Sequence, residues 1–151
     1  MELPKRKPTR IPGFDYGRQN YYFVTLCTHK KACLFWKNNQ LNDYGKIVES
    51  CILQIPQHYS GVTVEKYVVM PNHIHAVIAV EDGTKLTQII GQLKIAVTKQ
   101  IHKTTEGITV WQRSFHDHIV RNQQDYERIW LYIHGNPQRW SEDCFYTTED
   151  V

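Results

Sequence analysis

Two histidines separated by one residue, His73 and His75, and a tyrosine followed four positions later by an asparagine, Tyr132 and Asn136, have types and spacings suited to joint chemistry. In an extended strand, residues i and i+2 project from the same face, so the two imidazoles would stand roughly 7 Å apart at Cα. Two neutral imidazoles so placed can share one metal ion, while Ile74 points the opposite way, into a core. The same spacing also suits two half-buried histidines with ordinary hydrogen bonds. A second pair, His116 and His118, flanks Asp117 and is followed by the short apolar run Ile119-Val120 before Arg121. It falls at a loop or strand end, reads equally as a polar turn positioning the last helix, and ranks below the first pair as a metal site.

At about 100° per residue, Tyr126, Ile129, Trp130 and Ile133 form one apolar helical stripe, and Tyr132 lies roughly 110° from its centre. Asn136 falls one turn further on, on nearly the same side. A phenol and an amide oxygen could thus approach the same phosphate. The structural alternative is a core-flanking aromatic and a helix-terminal residue before Pro137. A phenolate that attacks phosphorus forms a covalent phosphotyrosine and conserves the phosphodiester energy, so that a later hydroxyl can reverse the step. With a pKa near ~10 the free phenol is a poor nucleophile at neutral pH, and a divalent cation assists by polarising the phosphate. His134, Arg121 or Lys94 could assist proton transfer or hold the leaving group, and the sequence does not choose among them.

These side chains need elements to hold them. Tyr21 to Thr28 is rich in aromatic and β-branched residues and predicts a strand, with a short extended piece near Cys33 to Trp36. Asn42 or Asp43 caps a helix running to about Ile55, stopped by Pro56, with Ile47, Val48, Cys51, Ile52 and Ile55 at helical spacing. Two strands, Val62 to Met70 and Ile74 to Val80, flank a break at Pro71-Asn72. Leu86, Ile89, Ile90, Leu93 and Val97 mark an amphipathic helix to about Lys103. An extended piece from Thr109 to about Phe115 follows, then a helix from Gln123 to about Gly135, capped by Asn122 and ended by Pro137. The order predicts an α+β fold with helices packed on an antiparallel sheet, close to a ferredoxin-like arrangement.

Composition narrows the class. With 151 residues, 41% hydrophobic and 22% charged, the chain suits one globular domain and argues against disorder. No run approaches the ~18 apolar residues of a membrane span, and the basic, proline-rich start lacks a signal-peptide stretch, so a cytoplasmic protein is expected. Cys27, Cys33, Cys51 and Cys144 form no C-x-x-C pair and read as small buried apolar residues. The formal charge of +3 is concentrated at the start, where Lys5, Arg6, Lys7, Arg10 and Arg18 outnumber Glu2 and Asp15. A basic arm on a neutral body is one way to grip a phosphate backbone, and a solvated start is the other reading. Lys94, Lys99, Lys103, Arg113 and Arg121 are further candidates for nucleic-acid contact.

The string Tyr67-Val68-Val69-Met70-Pro71-Asn72-His73-Ile74-His75 resembles the His-hydrophobe-His (HUH) signature of the single-tyrosine HUH transposases, and more closely that of their REP-associated branch, the RAYT proteins. Tyr22-Phe23-Val24-Thr25, the segment IIGQLK from Ile89 to Lys94, and the segment from Trp111 to Pro137 agree with that branch in order. The resemblance runs from about Arg10 to Trp140. It implies the ferredoxin-like HUH core and a metal, magnesium or manganese, held by His73, His75 and Asn136. It makes Tyr132 the catalytic nucleophile and passes over Tyr126. It also implies binding of hairpins in single-stranded DNA, guide bases beside the cleavage point, and a 5′-phosphotyrosine with a free 3′-hydroxyl.

On this reading residues 1–20 are a basic arm, 21–140 a single-tyrosine HUH transposase domain, and 141–151 a short acidic tail carrying Glu142, Asp143, Glu149 and Asp150. The chain is then expected to be a minimal endonuclease and strand-transferase. DNA contacts are expected from Lys94, Arg113, His118 and Arg121 and from Lys5, Arg6, Lys7 and Arg10, and a homodimer is compatible with the pattern. Two departures stand out: His116 where relatives often carry an aromatic residue, and Gly135, which weakens the last helical turn before Asn136. Three rivals remain. An HUH replication initiator or relaxase usually needs more chain. A hairpin-binding protein that no longer cuts would not need both histidines, Tyr132 and Asn136. An RRM-like RNA-binding module calls for stacking aromatics on strands that here carry aliphatics and histidines.

Overall fold

A computed structural model of the protein describes residues 19–147 apart from Asp82. The arm residues Lys5, Arg6, Lys7 and Arg10 lie outside the described residues, as do Glu149 and Asp150. Four strands form one antiparallel sheet: β1 (Gln19–Cys27), β4 (Val62–Val69), β5 (His73–Glu81) and β6 (His116–Ile119), in the spatial order β4-β5-β1-β6. Between β1 and β4 come a two-stranded hairpin, β2 (Trp36–Lys37) with β3 (Gln40–Leu41), and two helices, α1 (Asp43–Leu53) and the single turn α2 (Ile55–His58). Helix α3 (Leu86–His102) links β5 to β6, and α4 (Gln123–Gly135) leads into a 3₁₀ helix, Asn136–Glu142. This is the split βαβ order of a ferredoxin-like fold, as the sequence predicts.

Side-chain alternation decides which face of the sheet each residue serves. Val24 and Leu26 of β1 and Ile74, Ala76, Ile78 and Val80 of β5 pack with Val48 and Ile52 of α1 and Ile89, Ile90, Leu93 and Val97 of α3. The opposite set, Tyr21 of β1 with Val77 and Ala79 of β5, packs with Tyr126, Ile129 and Ile133 of α4. Strand β5 is therefore covered on both faces, and His73 to Val80 are all buried. Each fully buried aliphatic contributes roughly 1.5–3 kcal/mol. A one-residue slip would carry Ile74 and Ile78 to the wrong face. The aliphatic set thus fixes which face His73 and His75 occupy, and it is the α4 face.

Local signals explain most element ends. Asn42 Oδ1 accepts from Gly45 N at 2.9 Å, and Asn122 Oδ1 accepts from Asp125 N at 2.8 Å, which caps α1 and α4 as expected. Gly45 is required because a Cβ there would lie 2.3 Å from the Phe35 carbonyl oxygen. Pro56 opens α2 after the break at Gln54. Beside these agreements stand two corrections. The extended piece expected near Cys33 to Trp36 is the first arm of a hairpin whose turn is Asn38-Asn39, both at positive φ (54° and 62°), a conformation asparagine tolerates. The strand expected over 109–115 is displaced to His116–Ile119. Trp111 makes one bridge to Thr28, Ser114 turns the chain at φ 68°, and pairing with β1 begins only at His116. The second histidine pair thus lies on an edge strand.

Candidate active site

His73 and His75 project from adjacent same-face positions of β5, with ring centroids 4.7 Å apart, and are 0% and 3% exposed. Each has one ring nitrogen held from behind. His73 Nδ1 lies 2.8 Å from Asn72 Oδ1, and Asn72 Nδ2 donates to the carbonyls of Phe145 (2.8 Å) and Lys31 (3.2 Å). With its amide nitrogen so committed, Asn72 offers His73 only an acceptor. The Nδ1 edge of the ring is thus held from behind, and Nε2 faces the site. His75 Nδ1 lies 2.8 Å from the Thr25 hydroxyl, and these two residues are register partners across β1 and β5. Burial, and secondarily the charge of a neighbouring His73, pushes the His75 pKa down to about 3 against the pull of Asp143, so the His75 ring is neutral at neutral pH.

The two Nε2 atoms and Asn136 Oδ1 are buried and have no hydrogen-bond partner among the described residues. Such orphans are rare and call for a partner. A carboxylate stands beside them: the donor atoms of His73, His75 and Asp143 all lie within 4.8 Å of one another. Donors around one divalent ion at about 2.1 Å span up to about 4.2 Å, so a small inward rotation lets this set grip a cation. Imidazole nitrogens with carboxylate and amide oxygens make a mixed nitrogen and oxygen donor set of the kind that binds divalent metal ions. Asn136 Nδ2 donates to Asp143 Oδ2 at 3.2 Å, and Asn136 is 3% exposed despite Gly135 before it. The last turn of α4 runs directly into the 3₁₀ helix, which holds Asn136 in place.

Tyr132 sits on α4 at the border of this site. Its ring meets His75 edge-on at a centroid distance of 5.4 Å and Phe23 at 6.4 Å, and 39% exposure leaves the phenol reachable from solvent. Burial, with the Asp143 carboxylate second, raises its pKa, while the Asn136 amide and Arg139 pull it down. Tyr126 is 2% exposed, packs edge-on against Tyr21 and donates to Glu65 Oε1 at 3.3 Å. It belongs to the core beneath α4.

The other residues singled out by the sequence are dispersed. His118 Nε2 is 2.8 Å from Asp125 Oδ2 at the start of α4, far along the chain from the β5 pair. His116 and Asp117 are exposed on β6, without a third ligand among the described residues. Lys94 Nζ donates to the carbonyls of Ser114 and Gln112, and burial lowers its pKa. It staples the loop before β6. Arg113 and Arg121 are exposed. Three site residues escaped the sequence reading. Thr25 is revealed only by strand register, Asn72 was read as a turn residue, and Asp143 as part of an acidic tail.

Residues 17–136 match the profile of a family described as IS200-like transposases. A Haemophilus influenzae protein described as uncharacterised is 32% identical over 167 residues, covering 93% of each chain. A second protein of that organism, provisionally named a REP-associated tyrosine transposase, is 26% identical over 134 residues, covering 82% of this chain and 73% of its own. The solved structure of a REP-associated tyrosine transposase bound to a REP hairpin is similar with a TM-score of 0.64 at 20% identity, over 80% of this chain and 67% of the other. At that identity the likeness speaks to the fold.

Proposed function

Because the chain belongs to the family of IS200-like transposases, we propose that it nicks and rejoins single-stranded DNA at hairpins, of the REP type or at insertion-sequence ends, with Tyr132 as nucleophile. One observation carries this reading: a solvent-reachable phenol on α4 borders two buried imidazoles whose Nε2 atoms have no hydrogen-bond partner among the described residues. The hairpin is supported by the solved relative, which holds a REP hairpin.

In the proposed step the Tyr132 oxygen forms a bond to phosphorus and the bond from phosphorus to the 3′ oxygen breaks. The phenol proton ends, by way of solvent, on the freed 3′-hydroxyl, and the 5′ side stays on the tyrosine. Attack by a 3′-hydroxyl on that phosphotyrosine restores a phosphodiester and the phenol. His73, His75 and Asn136 would hold magnesium or manganese, which supplies positive charge to polarise the scissile phosphate. Thr25 and Asn72 keep the imidazoles aimed. Arg113 and Arg121, the ring of His118, and the basic residues Lys5, Arg6, Lys7 and Arg10 would contact the DNA backbone. Lys94 acts through the loop it staples, and one copy or a homodimer could be the acting unit. A single-stranded RNA platform is disfavoured because both sheet faces are covered by helices.

The test is cleavage of a labelled hairpin oligonucleotide drawn from around the gene. Cleavage should require manganese or magnesium and stop with a chelator. His75→Ala should lower the rate by at least a hundredfold with hairpin binding kept. Binding without cleavage under either metal would replace this reading with a hairpin-binding protein that does not cut.

A further inference from the structure

We propose that Asp143 is a further protein ligand of the cation at His73 and His75, delivered by the turn after the 3₁₀ helix. This rests on the metal reading above and adds a charged ligand from a segment that the family match, ending at residue 136, does not reach.

The Asp143 and His73 side chains are both 0% exposed, with Asp143 Oδ2 3.5 Å from His73 Nε2. A buried carboxylate is costly unless a charge or hydrogen bonds compensate it. The contact with His73 is longer than an ordinary hydrogen bond, and His73 Nε2 has no hydrogen-bond partner among the described residues. With Nδ1 facing the Asn72 oxygen, Nε2 is the ring nitrogen that faces the carboxylate. A divalent cation held there would compensate the buried carboxylate and give Nε2 a partner.

The carboxylate is also aimed. Oδ1 accepts from Phe145 N at 2.8 Å, and Oδ2 accepts from Asn136 Nδ2 at 3.2 Å. The Phe145 ring lies 4.6 Å from that of His73, and its carbonyl accepts from Asn72 Nδ2. One asparagine therefore holds both the His73 ring and the turn carrying Asp143. Asn136 orients Asp143 through its nitrogen and leaves Oδ1 for the ion. Two imidazoles, an amide oxygen and one carboxylate give the site a single negative charge, which favours a divalent ion, and the nitrogen content favours manganese over magnesium.

Manganese binding to the full chain without DNA tests this, by calorimetry and by loss of the free-ion paramagnetic resonance signal. Asp143→Asn keeps the shape of the side chain and removes its charge, and Asp143→Ala removes both. Each should weaken manganese binding at least tenfold with an unchanged circular dichroism spectrum, and His73→Gln should do the same. If both Asp143 variants bind manganese as the parent does while His73→Gln does not, Asp143 is no ligand and the histidine site stands. If His73→Gln also binds as the parent does, the metal reading itself falls.

Discussion

Thr25 touches neither metal nor substrate on this reading, yet it is the sole hydrogen-bond partner found for the rear of His75 among the described residues. Its hydroxyl sets the ring's tilt, as outer-shell partners do in metal sites. Thr25→Val preserves shape and strand propensity and deletes the bond, so manganese affinity should fall about tenfold to a hundredfold. The melting temperature should hardly change. Calorimetry alongside thermal melting checks this, and unchanged affinity would make the contact incidental. At this scale the sequence exposed what is local. His73 with His75, and Tyr132 with Asn136, are set by strand and helix periods. Thr25 and Asp143 are 50 and 70 positions from the histidines they meet, and no periodicity reports a contact made through the fold.

Helix α4 carries Tyr132, the proposed nucleophile, so its start must hold. Asn122 Oδ1 accepts from Asp125 N, and the Asp125 carboxylate accepts from Arg121 N at 3.1 Å, pairs with His118 at 2.8 Å and meets Arg128. Burial tends to raise the Asp125 pKa, but the His118 hydrogen bond, the Arg121 N–H and the two cationic neighbours together bring it below 3.8. The unfolded chain then binds more protons than the native one as pH falls below that value. The stabilisation is fully present above the unfolded pKa and is lost as pH drops through the folded one. Asp125→Asn should lower stability by about 1–2 kcal/mol at neutral pH and flatten the acid limb below about pH 4. Urea unfolding at several pH values measures both, and an unchanged acid limb would remove Asp125 from the account. The helices were legible because caps and 3.6-residue periods agree. Strand β6 was not, because His116–Ile119 is short, polar and exposed on an edge, while the more apolar 109–115 lacks a continuous partner strand.

For the molecule as a whole, antiparallel order and helix cover put a two-histidine face and a tyrosine helix against each other. The aliphatic face of β5 enforces this arrangement. The expected family is borne out by the profile match, and the expected ferredoxin-like sheet by the strand order. Among the described residues no helix is long and apolar enough to cross a membrane. The boundary expected at residue 140 is too early if Asp143 serves the metal, because the turn beyond the 3₁₀ helix then belongs to the catalytic unit. The most direct test of the central claim is to map the covalent protein–DNA adduct by mass spectrometry after incubation with hairpin DNA and manganese. The DNA fragment is expected on Tyr132, with no adduct in Tyr132→Phe. An adduct on Tyr126 or any other residue, or cleavage with no adduct at all, would contradict it.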